Sequence, residues 1–378
     1  MNDPHPPAAF PAAPQPVPSV TAVAPYKGGD SALPGFADPI KLASNENPLG
    51  VSPAARAAVA EAAARLNRYP DPAAVSLREA LGRLHGVDPD RIVCSAGSDE
   101  ITQMIVRAFI APGDEIIQSR YGFSIYRVFA QVAGAVVRLA EETNLTADVD
   151  AILSLVGPRT RVVFLANPNN PTGTYISAAE VRRLHAGLPS DVLLVLDGAY
   201  AEYVEADDYS AGVELATEAG NVLVVRTFSK AYGLAALRLG WAYGSPALIQ
   251  TFNTVREPFN VSALAQAAGV AALGDQDFIA ASVAHNRKER ARLSRGLADL
   301  GLEVVPTAGN FVLAGFPDRP GATAPEADAW LRAAGIIVRR VDSYGLDNYL
   351  RISVGTASEC DAVLGALSGF LDHRGAGA

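Results

Sequence analysis

The chain has 378 residues, 49% of them hydrophobic and 19% charged, which is enough apolar material for a sizeable core spread over two or three domains. Its net charge of −9 excludes a general binder of nucleic acid or of anionic membranes, because no basic field gathers phosphates. Two cysteines, Cys94 and Cys360, and five histidines make neither a disulfide framework nor a metal-ligand spacing, so no metal is expected.

The first 18 residues are rich in proline and alanine, cannot hold a regular helix and are expected to form a flexible tail. They lack the basic region and apolar core of a signal peptide, and no later run is long enough to span a bilayer. The expectation of a reducing, cytoplasmic setting rests on the two cysteines that form no disulfide framework. Ser52 followed by Pro53 reads as a helix start, N-cap then N1. Further helices are predicted over 74–85, 98–110, 124–132 and 177–186. Between them, short apolar runs at 115–118, 136–139, 161–166, 192–196 and 221–225 read as buried parallel strands. This alternation predicts an α/β fold with a mostly parallel sheet flanked by helices. Beyond residue 265 the pattern becomes long helices, one through the charged segment 285–300, then short strands at 302–305, 310–313, 336–338 and 350–354. Helices are expected near 325–334 and 358–371. The implied organisation is a tail (1–18), an N-terminal arm (19–44), a large α/β domain (45–265) and a smaller C-terminal α+β domain (266–378).

Four polar clusters fall at strand ends or next to them, the first of them at a predicted helix start, and strand ends are where open parallel sheets hold ligands. Gly97-Ser98-Asp99-Glu100 opens a helix, so it is either an ordinary acidic N-cap region or a phosphate site. Asn167 to Gly173 (NPNNPTG) is a tight loop with amide side chains. Asp197 ends a buried strand, which is costly unless the carboxylate has a partner. Arg226 to Gly240 (RTFSKAYGLAALRLG) brings Ser229, Lys230 and Arg238 after another strand: an amine beside groups suited to phosphate. Each cluster alone has a bland explanation. Together they match pyridoxal phosphate, which needs a lysine for its aldehyde, an acid for its ring nitrogen, donors for its phenolic oxygen and an anion cup.

With these strings in hand, the chain resembles the fold-type I, class-II pyridoxal-phosphate-dependent aminotransferases, and most closely their histidinol-phosphate aminotransferase branch. The resemblance covers about residues 25 to 372 and rests on KLASNENPLG (41–50), NRYPD (67–71), GSDE (97–100), YGFSIY (121–126), NPNNPTG (167–173), DGAY (197–200), RTFSKAYGLAALRLG (226–240) and LRISVGT (350–356). It implies that Lys230 carries the cofactor and moves the substrate proton, and that Asp197 pairs with the ring nitrogen. Asn170 and Tyr200 would bond the phenolic oxygen, and Tyr121 would stack on the ring. Ser98, Asp99, Ser229 and Arg238 would line the phosphate cup. Tyr69 would reach the cofactor of a neighbouring subunit, which implies a homodimer. Asn47, Arg351, Arg339 and Tyr26 would bind substrate, Arg351 holding the carboxylate of glutamate and all but Asn47 sharing the phosphate of the alternative substrate. The implied reaction exchanges an amino group between L-histidinol phosphate and 2-oxoglutarate in histidine biosynthesis. An aromatic amino-acid aminotransferase is the alternative, alone or as a second activity. A decarboxylase or a cofactor-sensing regulator on the same fold stands further off. One departure is visible: many members carry Glu where this chain has Gly198.

Overall fold

The computed structural model describes residues 14–375. The first thirteen residues of the expected tail therefore lie outside it. The tail's last residue belongs to one helical turn, Pro18–Thr21, whose Ser19 hydroxyl donates to Val132 O at 2.9 Å. Proline at the first helical position is what allows a helix to begin there.

Seven strands form the main sheet: β1 (Ile92–Ser95), β2 (Glu115–Ser119), β3 (Val136–Ala140), β4 (Thr160–Ala166), β5 (Leu193–Asp197), β6 (Val222–Thr227) and β7 (Gly240–Tyr243). Their order is β1-β7-β6-β5-β4-β2-β3, and only β7 runs antiparallel to its neighbours. Alternation of side chains splits each strand between two cores. Val163, Leu165, Leu194 and Leu196 pack under helices Pro53–Ala62, Val75–His85 and Ala263–Gly274. Val162, Phe164, Leu193 and Val195 pack under Ser98–Phe109, Ser124–Val132 and Pro246–Val255. Burying each such side chain contributes roughly 1.5–3 kcal/mol, so both faces need cover and the inner strands read as continuous apolar runs. The expected buried strand at 136–139 is instead the sheet's edge and leaves Val136 and Leu139 exposed.

Strands β1 and β7 and the helix Pro246–Val255 were not anticipated. β7 has four residues and opens on a glycine, so its sequence resembles the end of the preceding loop.

A second sheet of four antiparallel strands, β8 (Glu303–Val305), β9 (Phe311–Gly315), β10 (Arg339–Arg340) and β11 (Tyr349–Ser353), has the order β8-β9-β11-β10. The expected strand at 336–338 does not enter it. Ile336–Ile337 pairs instead with Ile40–Lys41, in parallel, as a separate two-stranded sheet that ties down the N-terminal arm. The expected domain boundary at 265/266 falls inside helix Ala263–Gly274, whose Ala265, Ala268 and Ala272 are buried in the core of the large sheet. The chain passes between sheets along the next helix, Gln276–Asp299. That helix is longer than its charged segment suggested, because Asp275 caps it at Phe278 N.

Candidate active site

Strands β1, β4, β5 and β6 end at one edge of the large sheet, and the loops after them open into a single cavity. The second sheet and the N-terminal arm close its other side. Lys230, Asp197, Tyr200, Asn170, Ser98, Asp99, Ser229, Arg238, Tyr26, Arg339 and Arg351 all line this cavity. They come from seven separate chain segments, which is why no local pattern groups them.

Lys230 follows β6 by three residues, and its Nζ donates to Ser44 O at 3.2 Å. Burial, aided by the nearby Arg351 charge, lowers its amine to about 8, so a neutral nucleophile is accessible near neutral pH. Asp197 is the last residue of β5. Its Oδ2 accepts from the Tyr126 hydroxyl at 2.5 Å and its Oδ1 from Ala199 N at 3.0 Å. Burial raises its carboxyl, and these two donors pull it back down. Tyr126 is fixed in turn by stacking on Phe164, with ring centroids 4.6 Å apart.

Tyr200 lies across from the lysine, which sits 5.7 Å from its ring centroid. Burial pushes its phenol up to about 12, so it stays protonated. Arg351 projects from β11, donates to Ala43 O at 2.7 Å and to Asn170 Oδ1 at 2.5 Å, and lies over the Phe311 ring. Arg339, on β10, donates to the carbonyls of Gly28 and Lys27, each at 2.6 Å.

The anion cup combines the N-terminus of helix Ser98–Phe109 with Ser229 and Arg238. Arg238 reaches Asp99 Oδ2 at 3.3 Å and Ser229 Oγ at 3.4 Å. Gly97 has φ +80, and a Cβ built there would lie 2.4 Å from Arg238 Nη2. The left-handed backbone favours glycine, and the missing Cβ lets the arginine lie beside the helix amides. An amine, a buried carboxylate and an anion cup in one cavity can hold a phosphorylated, ring-containing carbonyl compound and handle protons around it.

Two expected residues, Tyr121 and Asn47, lie elsewhere, and Tyr69 was expected to serve a neighbouring subunit. Tyr121 packs into the cluster of Val305, Leu313, Val341 and Tyr344, while its backbone is pinned by Glu142 at 3.0 Å and Asn169 at 3.2 Å. Phe123, two residues on, lines the cavity instead and meets Tyr126 edge-on at 5.7 Å. Asn47 spends its amide on Ala231 O at 2.9 Å and Ser282 Oγ at 3.0 Å, and its carbonyl caps Leu49 N. Asn45 is the asparagine in the cavity. Tyr69 stands 82% exposed, stacked on Phe259 at 4.5 Å, away from its own chain's cavity.

The aminotransferase class I and II family model matches residues 37–367. This chain belongs to the class I and II aminotransferases. It is 53% identical over 357 residues to a histidinol-phosphate aminotransferase of Maricaulis maris, covering 94% of this chain and 99% of that one. It is 51% identical over 362 residues to that of Rhodospirillum rubrum, covering 96% and 98%. Its fold is similar to the crystal structure of histidinol-phosphate aminotransferase from Sinorhizobium meliloti in complex with pyridoxal-5′-phosphate. The TM-score is 0.87, with 29% identity over 96% of this chain and 99% of that one.

Within this aminotransferase, the departure at Gly198 has a local cause. A Cβ there would lie 3.1 Å from Arg226 Cδ. Arg226 is buried and pairs with Glu202 at 2.7 Å. The arginine stem therefore crowds a side chain at 198 and would have to give slightly to admit one, while Glu202 serves as the arginine's charge partner. The cavity residues Asn45, Phe123 and Tyr126 were given no role from sequence, although all three sit in the strings 41–50 and 121–126. The only local signal was the polar or aromatic side chain itself; which one faces inward depends on contacts with distant elements, as of Asn45 with Ser353 and of Tyr121 with the cluster around Val341.

Proposed function

We propose that this chain is a pyridoxal-phosphate-dependent aminotransferase that moves an amino group between L-histidinol phosphate and 2-oxoglutarate, as its relatives' names indicate, in histidine biosynthesis. The observation that carries this is the presence of Arg339 and Arg351 in the same cavity as Lys230 and Asp197. Two arginines beside one reactive amine suit a site that must accept a carboxylate from one substrate and a phosphate monoester from the other.

The residues present fit the cofactor. Asp197 is a buried carboxylate that, among the described residues, has neutral donors and no ion-pair partner; a protonated ring nitrogen supplies the missing cation. Gly97 leaves the hollow that seats Arg238 next to the helix amides. Pyridoxal phosphate, when bound, supplies the electron sink through which an amino group leaves one carbon skeleton and joins another.

The chain's own residues divide the remaining work. Ser229, Arg238 and the first amides of helix Ser98–Phe109 bind the phosphate. Asp197 holds a proton at the ring nitrogen, with Tyr126 fixing the carboxylate. Tyr200 and the Asn170 amide, whose oxygen is already engaged by Arg351, offer donors to the ring's phenolic oxygen. Phe123 covers a ring face. Lys230, neutral above about pH 8, takes the proton from the substrate α-carbon and returns it nearby. Arg351 orients the substrate carboxylate, and Arg339 with Tyr26 joins it on the substrate phosphate.

We further propose a homodimer in which Tyr69 completes the cavity of the other subunit. Tyr69 and Leu66 are 82% and 67% exposed, and Tyr69 with Phe259 makes an exposed aromatic pair. Cys94 and Cys360 are buried and free, which suits a reducing cytoplasm, and no helix among the described residues is long and apolar enough to cross a membrane.

The deciding experiment compares kcat/KM for histidinol phosphate, phenylalanine and tyrosine with 2-oxoglutarate as acceptor. The expected result favours histidinol phosphate by about 10² or more, the worth of one well-made charged contact. Preference for the aromatic acids would overturn the substrate assignment.

A further inference from the structure

Asn45 is buried and touches the site from the N-terminal segment, with φ +55. Its contacts run in one direction. The Asn45 backbone N–H donates to Ser353 Oγ at 2.8 Å. A backbone amide can only donate, so this Ser353 oxygen accepts. The Ser353 hydroxyl proton then goes to Asn45 Oδ1, 2.9 Å away. That identifies the amide oxygen and leaves the Asn45 NH2 facing the Tyr200 oxygen at 2.9 Å. The Tyr200 oxygen must therefore accept from Asn45. Its own proton has to point elsewhere, and among the described residues no other group takes it. Tyr200 lines the cavity.

The loop is held from both sides. Ser353 N donates to Leu42 O at 2.9 Å and Asn310 Nδ2 donates to Asn45 O at 2.9 Å, so strand β11 and the loop before β9 fix the asparagine's backbone. Two neighbours of Asn45 are also engaged: Ala43 O accepts from Arg351 and Ser44 O from Lys230.

We propose that Asn45 and Ser353 are positioning residues that turn the Tyr200 hydroxyl into an obligate donor aimed into the cavity, toward the phenolic oxygen of the cofactor. This rests on the pyridoxal-phosphate assignment above. A donor at that oxygen stabilises the negative charge left there when the nitrogen joining cofactor to Lys230 loses its proton. Losing the donor therefore moves that proton loss to higher pH.

The test uses the full chain loaded with pyridoxal phosphate and follows the visible cofactor band against pH, without turnover. Tyr200→Phe should move the midpoint up by about one pH unit, the size expected for one hydrogen bond to a charged oxygen. Asn45→Ala and Ser353→Ala should each move it the same way by less. On the Tyr200→Phe background neither should move it further, because the three act as one unit. Ser353→Thr, which keeps the hydroxyl, should restore the wild-type midpoint. Wild-type midpoints in Asn45→Ala and Ser353→Ala, with only a lower Tm, would overturn the proposal, and so would equal shifts on both backgrounds. A wild-type protein with no pH-dependent cofactor band would overturn the cofactor assignment, and the proposal with it.

Discussion

The Tyr126 hydroxyl lies 2.5 Å from Asp197 Oδ2, and this contact links a helix start to the end of the central strand β5. It opposes the upward push that burial gives this carboxyl. Asp197→Asn keeps the shape and removes the charge. We expect the variant to bind cofactor and to lose about 10²–10³ in kcat, the usual cost of one electrostatic stabiliser in a dry site. Tyr126→Phe should cost about tenfold, one ordinary hydrogen bond. Steady-state kinetics beside the cofactor's absorbance checks both, and near-wild-type turnover of Asp197→Asn would refute the ring-nitrogen role.

Lys230→Ala should abolish transamination and the cofactor adduct trapped by borohydride, read by mass spectrometry of the digested protein. A trapped adduct at another lysine would sink the assignment.

The buried amine also carries a pH signature in the cofactor-free protein. Its value falls from 10.5 to about 8 on folding, so the folded state binds the proton less well than the unfolded state. Stability from this group is at its lowest below pH 8 and recovers as pH rises from about 8 toward 10.5. Lys230→Met should therefore raise Tm at pH 7, and the difference should shrink over that window. Calorimetry across pH measures it; a constant or growing difference would contradict the lowered value.

Arg339 now spends both terminal nitrogens on backbone carbonyls of the arm, at 2.6 Å each. If it recognises substrate phosphate, Arg339→Ala should reduce kcat/KM for histidinol phosphate by about 30-fold, or ~2 kcal/mol, the worth of a charged hydrogen bond. Phenylalanine turnover should fall far less. Equal losses would mean that the arginine serves only to tie down the arm.

Phe259→Asp places a charge in the exposed aromatic pair with Tyr69. Sedimentation should then show a shift from dimer toward monomer, with weaker cofactor retention, because Tyr69 would no longer reach a partner's cavity. A wild-type protein that sediments as a monomer would remove the basis of the shared site.

Much of the sheet was legible because strands buried on both faces must be apolar throughout, as in 161–166 and 192–196. The helix at Pro53 was legible because Ser52 accepts the amide of Ala55 through a purely local contact. The antiparallel β7 was not, since four residues after a glycine carry no periodicity of their own and are held by partners at 92–95 and 222–227.

The amino-acid sequence by itself determined the reaction class. Lysine, aspartate and asparagine each stand at the end of an apolar run that reads as a parallel strand or a few residues after it, the glycine leads a helix, and the ends of parallel strands converge at one edge of their sheet. What the tertiary structure alone decided is which side chain of a noticed string faces inward: Phe123 rather than Tyr121, and Asn45 rather than Asn47. The physical reason is reach. Asn45 is oriented by Ser353, 308 positions away, and Tyr121 is drawn aside by a cluster that includes Val341. Such directions are set by contacts between elements far apart in the chain, and no local propensity encodes them.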